Sequence, residues 1–264
     1  MAKTFRISLG AAGPVAGLPC DAKGNVVPHV LLEKDGVQDV RYNPAFGHPT
    51  RTGATYVSGL VCVDTIPAFG HLRLNFVRGN EMAHCKRNLE PYYLVSAPGV
   101  MENNHVRVTI NQNGTFDLLD KATGKTYPSQ LLLEDSGDAD NCYIHQTPFN
   151  DRRTYLSTAN HASVRQLYDT PLGAAFEIVQ TLDIPDGLAD NRSRRGELRG
   201  TVDVTAVLTL GAGDRRVDVK LTINNHARNH RLRVLFPTQL ANATTSRSGQ
   251  PFDTVTRDVA RDID

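Results

Sequence analysis

The 264-residue sequence contains no tryptophan, few aromatic residues and almost no net charge. Lysine and arginine together number 29 against 28 aspartates and glutamates, which leaves a formal charge of +1. A balanced charge creates no field that would attract nucleic acid or an anionic membrane surface, so we expect neither as a partner. No apolar run approaches the length that crosses a bilayer. The composition is typical of a soluble globular protein.

Metal-binding and redox motifs are also lacking. The four cysteines are widely spaced and form no Cys-x-x-Cys pair, and the nine histidines form neither His-Glu-x-x-His nor His-x-Asp. His226 and His230 are four residues apart, but their surroundings indicate a turn rather than a helix. We therefore predict no metal site in this chain and reduced thiols. The N-terminus has no apolar core of signal-peptide length, so we expect either a cytoplasmic protein or a piece cut from a longer chain.

Strand patterns dominate the second half of the sequence. Apolar and polar residues alternate over residues 106–110, and the following Asn113-Gly114 dipeptide favours a hairpin turn into residues 115–119. A third strand can begin at Lys125. Further alternation predicts strands over the following segments: 176–184, which Pro185 ends, 201–210, 217–223 and 232–236.

Residues 1–95 are rich in glycine and proline and show shorter strand patterns. These lie at residues 5–9, 26–32, 56–63 and 71–77, with turn signals at 21–24, 34–36 and 67–70. The weakest prediction is a short helix over Asn80–Glu90. We predict an all-β protein in which a small β-sandwich domain, residues 1–95, precedes the first part of a larger antiparallel β-sandwich domain, residues 96–264.

An acidic segment, Glu134–Asp140, follows the first meander. Its charge and small residues argue against a central strand, so we expect it on the surface or along a cleft. Asp135, Asp138 and Asp140 could supply the two carboxyl groups of a glycoside hydrolase. A glycine-containing loop offers little of the rigid placement which that chemistry needs, so we expect no catalytic residue here.

Two groups of arginines admit two interpretations each. The polar segment between Ile184 and Thr201 carries four: Arg192, Arg194, Arg195 and Arg199. A solvated loop is the favoured interpretation, and the basic edge of a sugar or carboxylate site is the other. Arg231 and Arg233 alternate with apolar residues, which points them away from the core, either into solvent or onto another domain.

Three stretches resemble glycoside hydrolase family 38, the α-mannosidases and mannosylglycerate hydrolases. They are DKATGKTY and LEDSGDADNCY within residues 101–143, NHARNHRLRVLFPT at 225–238, and FDTVTR at 252–257. The resemblance covers about the last two thirds of the chain. It implies that the chain is the C-terminal β-rich region of such an enzyme, with a larger sandwich resembling the galactose-mutarotase-like supersandwich.

The resemblance also implies what lies outside this chain. The family holds zinc through a His-x-Asp pair on an N-terminal catalytic barrel, and its nucleophilic aspartate lies there too. We therefore expect a fragment that is inactive alone and contains no cofactor, with zinc in the missing catalytic domain. The enzyme's own barrel and an α-mannoside substrate are the expected partners. Formation of a homo-oligomer stays open.

The family resemblance suggests where substrate would be contacted. Cys142-Tyr143-Ile144 resembles the site of a tyrosine that reaches into the active-site cleft, so Tyr143 is a candidate substrate-binding residue. A phenol offers a hydroxyl group and an apolar ring face to a sugar. Packing of Tyr143 beneath the loop is the equal alternative. Asp135 and Asp138 are the accompanying substrate-binding candidates.

Two other function classes remain open. A free-standing carbohydrate-binding module would bind sugar by itself, although the low aromatic content disfavours an aromatic platform. A mutarotase-like enzyme would need a histidine and a carboxylate facing one sugar, for which His145, His161 and Glu177 are candidates. An epimerisation assay would separate the second class from the others.

Overall fold

The structure is a computed structural model that describes residues 3–12, 18–42, 49–63, 66, 68–77, 93–139 and 143–259. Within these residues the chain consists of nineteen β-strands and one short 3₁₀ helix. The all-β fold class predicted from the alternating patterns is confirmed. None of the described segments forms a helix with the length and apolar character that a membrane crossing requires.

The N-terminal strands form two small antiparallel sheets. The strands are β1 (Lys3–Ala12), β2 (Leu18–Cys20), β3 (His29–Tyr42), β4 (Pro49–Val63) and β5 (Asn75–Val77), in the orders β1-β4-β3 and β2-β5. The predicted turn at Asp21–Gly24 is present, and Gly24 adopts the positive φ that it requires. The turn predicted at residues 34–36 is wrong, because β3 pairs with β4 through this stretch. The helix predicted over Asn80–Glu90 lies outside the described residues.

A five-stranded meander follows in the chain. Its strands are β6 (Val95–Ala97), β7 (Val100–Glu102), β8 (Val106–Ile110), β9 (Phe116–Asp120) and β10 (Lys125–Gln130), and they lie in the order β10-β9-β8-β7-β6. The predicted hairpin joins β8 to β9, where Gly114 has a φ of 83°. The Asn113 side chain stabilises this turn, because its Oδ1 accepts a hydrogen bond from the Thr115 backbone N–H at 3.1 Å.

A four-stranded antiparallel sheet forms the opposing layer. It contains β13 (Ser163–Thr170), β14 (Gly173–Pro185), β15 (Arg199–Gly211) and β16 (Asp218–Asn225), paired in chain order. These strands confirm the patterns predicted for residues 176–184, 201–210 and 217–223. Along most of β14 buried positions alternate with exposed ones, and along most of β15 they alternate with half-buried ones.

A further sheet has three strands, in the order β12-β11-β17. They are β11 (Leu132–Gly137), β12 (Thr154–Leu156) and β17 (His230–Leu235), with the 3₁₀ helix Ser157–Ala159 after β12. A final hairpin is formed by β18 (Thr245–Gln250) and β19 (Asp253–Asp258). The expectation that the acidic segment could not form a central strand is wrong, because β11 is bonded on both sides.

Two clusters of buried side chains hold the layers together. One joins the five-stranded sheet to the four-stranded sheet and contains Met101, Val108, Ile178 and Leu208. The other places Leu133 of β11 against apolar residues of β14 and β15. Burial of each such side chain contributes about 1.5–3 kcal/mol. Both clusters rest on β14 and β15, so these two strands are the common base of the domain.

Candidate functional site

A buried carboxylate organises the three-stranded sheet. Asp135 lies on the inward face of β11, and its side chain has no exposed surface. Arg195 Nη1 donates to Oδ1 of Asp135 at 2.5 Å, and His230 Nδ1 donates to Oδ2 at 2.6 Å. Both carboxylate oxygens therefore take part in charge-assisted hydrogen bonds. This pairing explains why an acidic segment can form a central strand.

Arg195 is the fully buried cation of this network. Its Nη2 donates to the Pro185 carbonyl oxygen at 3.1 Å, and the guanidinium carbon lies 5.3 Å from the centre of the Tyr155 ring. The solvated-loop interpretation is therefore wrong for Arg195. It holds for Arg194, which is exposed and paired with Glu197, whereas Arg199 is exposed but lies at the start of β15, where it pairs with Asp183.

His230 connects the network to the end of β16. Its Nε2 lies 3.1 Å from Oδ1 of Asn225. The same oxygen accepts a hydrogen bond from the Ala227 backbone N–H at 2.9 Å. Asp135 and Asn225 thus present only acceptors to the imidazole. The imidazole therefore links β17 to β11 and to the end of β16.

A second carboxylate fixes Arg195 through its backbone. The Asp151 carboxylate accepts a hydrogen bond from the Arg195 backbone N–H at 3.2 Å. It accepts three more from Arg153: from the backbone N–H at 3.1 Å, from Nε at 2.9 Å and from Nη2 at 2.7 Å. The Arg153 guanidinium holds the pKa of the Asp151 carboxyl well below its usual range. The segment around Asp151 is thereby tied to the loop that carries Arg195.

Gly137 ends β11 where the Arg195 side chain passes over it. A Cβ atom at this position would lie 2.9 Å from Cγ of Pro148 and 3.0 Å from Cγ of Arg195. Real side chains do not approach so closely, so glycine permits the contact. This packing gives a structural reason for the glycine in the acidic segment.

The opposite face of the same sheet forms the floor of an open cleft of about 430 Å³. Strand register places Ser136 directly between Thr154 of β12 and Arg231 of β17. In the neighbouring row, Arg233 Nε donates to Oε1 of Glu134 at 2.9 Å. The cleft is lined by Glu134, Ser136, His145, Gln146, Thr147, Phe149, Arg152, Thr154, Arg231 and Arg233. This floor therefore carries hydroxyl groups, guanidinium groups and the Glu134 carboxylate.

The loop that follows β11 forms one wall of the cleft. Gln146 N donates to Oδ1 of Asp138 at 3.1 Å, and Ala139 N donates to the Gln146 carbonyl oxygen at 2.7 Å, so the two arms of the loop are bonded to each other. Arg192 Nη2 donates to the Ala139 carbonyl oxygen at 2.7 Å. At the tip, Tyr143 is 90% exposed. This exposure excludes the alternative in which Tyr143 packs beneath the loop.

The three predicted substrate-binding residues therefore occupy different environments. Tyr143 presents its ring and hydroxyl group at the surface, and Asp138 shapes the loop. Asp135 has no surface to offer a ligand in this structure, because Arg195 and His230 occupy both of its oxygens. Because of the same pairing, Asp135 cannot act as one of the two carboxyl groups of a glycoside hydrolase. Asp140, the other carboxylate considered for that role besides Asp138, lies outside the described residues.

The residues proposed for a mutarotase-like site are not brought together. His145 lines the cleft, and its Nε2 lies 3.2 Å from the Gly137 carbonyl oxygen. His161 lines a separate groove beside β13, and Glu177 pairs with Arg165 at 2.8 Å.

Sequence reasoning missed several members of the cleft, notably Ser136, Arg152 and Thr154. No signal in the sequence marks them, because their grouping depends on strand register. Among the described residues, no group of three or more histidine, cysteine, aspartate or glutamate side chains is placed to bind a metal ion.

Comparisons with known proteins give consistent results. Residues 101–262 match the family described as "Glycosyl hydrolases family 38 C-terminal domain". A protein of Halalkalibacterium halodurans, named "Putative mannosylglycerate hydrolase", is 32% identical over 155 residues, which cover 53% of this chain and 17% of that protein.

Two solved structures share the fold. An α-mannosidase from Enterococcus faecalis V583 has a TM-score of 0.79 and 21% identity, over 99% of this chain and 33% of that one. A family 38 glycosyl hydrolase from Enterococcus faecalis has a TM-score of 0.78 and 22% identity, over 97% of this chain and 34% of that one. The chain thus spans about a third of these structures and less of the curated relative.

Proposed function

Because the chain belongs to glycosyl hydrolase family 38, whose C-terminal domain it matches, we propose that it is the β-rich part of an α-mannosidase-like enzyme. In this proposal the chain braces a separate catalytic domain and completes the wall of a cleft that binds α-mannosides. The observation that carries the proposal is the exposed Tyr143 loop beside a polar cleft.

The loop has the surface expected of a docking element. Ile144 and Phe149 are exposed large apolar residues on the same loop as Tyr143. Exposed apolar side chains that are close in the chain are typical of surfaces that contact another domain or a ligand. Tyr143 could then stack on a sugar ring and hydrogen-bond to its hydroxyl groups.

The buried network supplies the rigidity that a binding wall requires. Asp135, Arg195 and His230 lie directly beneath the cleft floor, on the other face of the same three-stranded sheet and the adjoining loop. Binding sites work best when the residues behind them are themselves fixed. The contribution of this chain is therefore binding and orientation of the substrate.

The chemical step belongs to the catalytic domain in this proposal. Retaining hydrolysis of a glycoside needs two carboxyl groups, and the described residues offer no such pair beside the cleft. Zinc would likewise be held outside this chain. We place the enzyme in the cytoplasm, a reducing compartment in which its widely spaced cysteines would stay as thiols.

A narrower substrate class is suggested by the relative from Halalkalibacterium halodurans, whose name refers to mannosylglycerate. Glycerate carries a carboxylate, and the cleft contains three arginines. We therefore include mannosylglycerate among the candidate substrates of the whole enzyme.

The test measures turnover of a neutral aryl α-mannoside by this chain alone and by this chain joined to its catalytic domain. We expect no turnover and no bound zinc for the chain alone. In the joined enzyme, Tyr143→Ala should lower kcat/KM by about tenfold, as loss of a stacking or hydrogen-bonding contact predicts.

The matched control is Tyr93→Ala, which truncates an exposed tyrosine far from the cleft in sequence. It should leave kcat/KM unchanged. One tightly bound zinc ion per isolated chain, or equal turnover in the Tyr143→Ala and unmodified enzymes, would contradict the proposal.

A further inference from the structure

We propose that an open groove along one edge of the sandwich is a second sugar-binding site, which takes a neutral hexose unit such as mannose. The groove has a volume of about 840 Å³ and lies between β6, an edge strand of the five-stranded sheet, and β13, an edge strand of the four-stranded sheet. It is separate from the cleft on β12-β11-β17, because the two share no lining residue. The site goes beyond the proposed function, which only suggests mannose as the sugar to test.

The groove exists because the two layers do not close over each other at this edge. Gln166 on β13 stands directly opposite Phe176 on β14, so both side chains point between the layers. Phe176 is buried, whereas Gln166 is exposed. Val164, two residues earlier on the same face of β13, is 38% exposed. Side chains that point into the sandwich therefore meet the groove in place of the opposite sheet.

The lining of the groove suits an uncharged ligand. The part of the chain that the structure describes contributes no aspartate, glutamate, lysine or arginine to it. Its polar members are Ser96, Asn111, Gln112, His161 and Gln166, and the others are apolar residues and a glycine. Apolar walls with a few neutral polar groups are typical of small-ligand sites of this size. A sugar ring, with C–H groups on its faces and hydroxyl groups at its edge, matches this combination.

Two carboxamides at the rim are available to a ligand. Within the described residues, neither the Gln112 nor the Gln166 side chain forms a hydrogen bond with another group of the protein. A carboxamide offers a donor and an acceptor side by side, and each sugar hydroxyl group both donates and accepts. Two neighbouring hydroxyl groups can therefore bind one carboxamide without any charge.

A third carboxamide lies buried beside the groove. Gln180, on the inward face of β14, is 3% exposed, and neither its Nε2 nor its Oε1 has a hydrogen-bond partner among the described residues. A Cβ atom at Gly114 would lie 2.9 Å from Gln180 Nε2 and 3.0 Å from Cβ of Ala162, which lines the groove. A buried amide without a partner is unfavourable. A sugar hydroxyl group, directly or through a bridging water molecule, would supply the partner.

The same edge disfavours an added β-strand as the ligand. β6 has only three residues, and its register with β7 shifts between Val95 and Ala97. The register of β13 with β14 shifts between Gln166 and Tyr168. Short edge strands and bulges interrupt the row of backbone groups that an extended peptide would pair with. The observations therefore favour a small ligand over a peptide.

The direct test is a titration of the isotope-labelled 264-residue chain with methyl α-D-mannopyranoside, followed through the NMR shifts of the backbone amides. We expect saturable shifts at residues 95–99, 110–112 and 161–166, which line the groove. Because no charged group takes part, the affinity should not change when salt is added. Gln166→Leu should weaken binding about tenfold, because it removes a donor and an acceptor at nearly unchanged volume.

Gln250→Leu is the matched control. It makes the same substitution at an exposed glutamine on β18, which does not line the groove, and it should leave the affinity unchanged. Unchanged thermal unfolding of each variant would show that the fold is intact.

Three results would overturn the inference. They are the absence of saturable shifts, shifts at the cleft on β12-β11-β17 in place of the groove, and an affinity that Gln166→Leu leaves unchanged or that Gln250→Leu lowers equally. A failure here leaves the Tyr143 experiment unaffected, because that experiment measures turnover by the joined enzyme and changes a different side chain.

Discussion

The described residues from Val95 onward enclose an interior with two halves, which share β14 and β15 but differ in chemistry. Beneath the five-stranded sheet, Met101 and Val108 pack on Ile178 and Leu208, and the contacts are apolar. Beneath the three-stranded sheet, the apolar cluster around Leu133 adjoins a network of charged side chains centred on Asp135. The four-stranded sheet is thus covered by two halves. We call the contacts with the five-stranded sheet the apolar half, and the part around Asp135, Arg195 and His230 the ionic half.

The difference shows that one half mainly stabilises the fold, whereas the other mainly fixes the position of the loop beside the cleft. Apolar burial stabilises without fixing direction, and it tolerates small changes of geometry. A buried ion pair costs desolvation energy, which its attraction only partly offsets, but its hydrogen bonds are directional. The ionic half lies beneath the cleft, where the position of a loop matters most. Its role is to hold that loop rather than to add stability.

The largest expected effect comes from breaking the ionic half. Arg195→Met removes the cation and leaves the Asp135 carboxylate buried beside His230 alone. A buried charge that loses a partner typically costs about 3–5 kcal/mol in the free energy of unfolding. Urea denaturation followed by far-UV circular dichroism measures this loss.

The neighbouring residue provides the control for this substitution. Arg194→Met changes the same residue type one position earlier, where the side chain is 52% exposed and pairs with Glu197 on the surface. It should cost no more than about 0.5 kcal/mol. If both variants lose the same stability, the ionic half is not a structural unit.

A smaller effect, with a defined pH dependence, is expected at the edge of the ionic half. Asp151→Asn removes the charge that accepts hydrogen bonds from Arg153 and from the Arg195 backbone. The loss at pH 7 should be about 2 kcal/mol, the value typical of hydrogen bonds to a charged group.

The sign of the pH dependence follows from the lowered pKa of Asp151 in the folded protein. A carboxyl group of this kind stabilises the fold above the pKa of the unfolded chain, and its contribution is lost as the pH falls through the folded value. The difference between the unmodified protein and Asp151→Asn should therefore shrink between pH 7 and pH 3. Asp190→Asn, at an exposed aspartate, should show a small difference at both values. A difference that grows in acid would contradict the assignment.

The contrast between the halves also explains which predictions from sequence succeeded. Strands such as β14 and β15 are visible as alternating patterns, because their inward side chains are apolar. The same rule failed at β11, whose inward residue Asp135 is acidic. Its partners Arg195 and His230 lie 60 and 95 residues away in sequence, so no local pattern reveals the neutralisation.

The candidate site shows the same limit. Alternation along β17 predicted that Arg231 and Arg233 point away from the core, and both line the cleft. Their neighbours Ser136 and Thr154 reach them only through the register of three strands. Arg194 and Arg195 are adjacent and identical in type, yet one is exposed and the other is buried. Composition and periodicity cannot separate such a pair.

The smallest expected effect probes the apolar half. Ile178→Val removes one methylene group from a fully buried side chain and should cost about 1 kcal/mol. Ile223→Val makes the same change on β16 at a side chain that is 44% exposed, and it should cost less than half as much. Neither effect depends on a titrating group, so both should be equal at pH 7 and pH 4, unlike that of Asp151→Asn. Urea denaturation at the two pH values measures this. A pH-dependent cost at Ile178 would mean that the two halves are energetically coupled through β14, because the shared strand would then transmit the state of the ionic half to the apolar one.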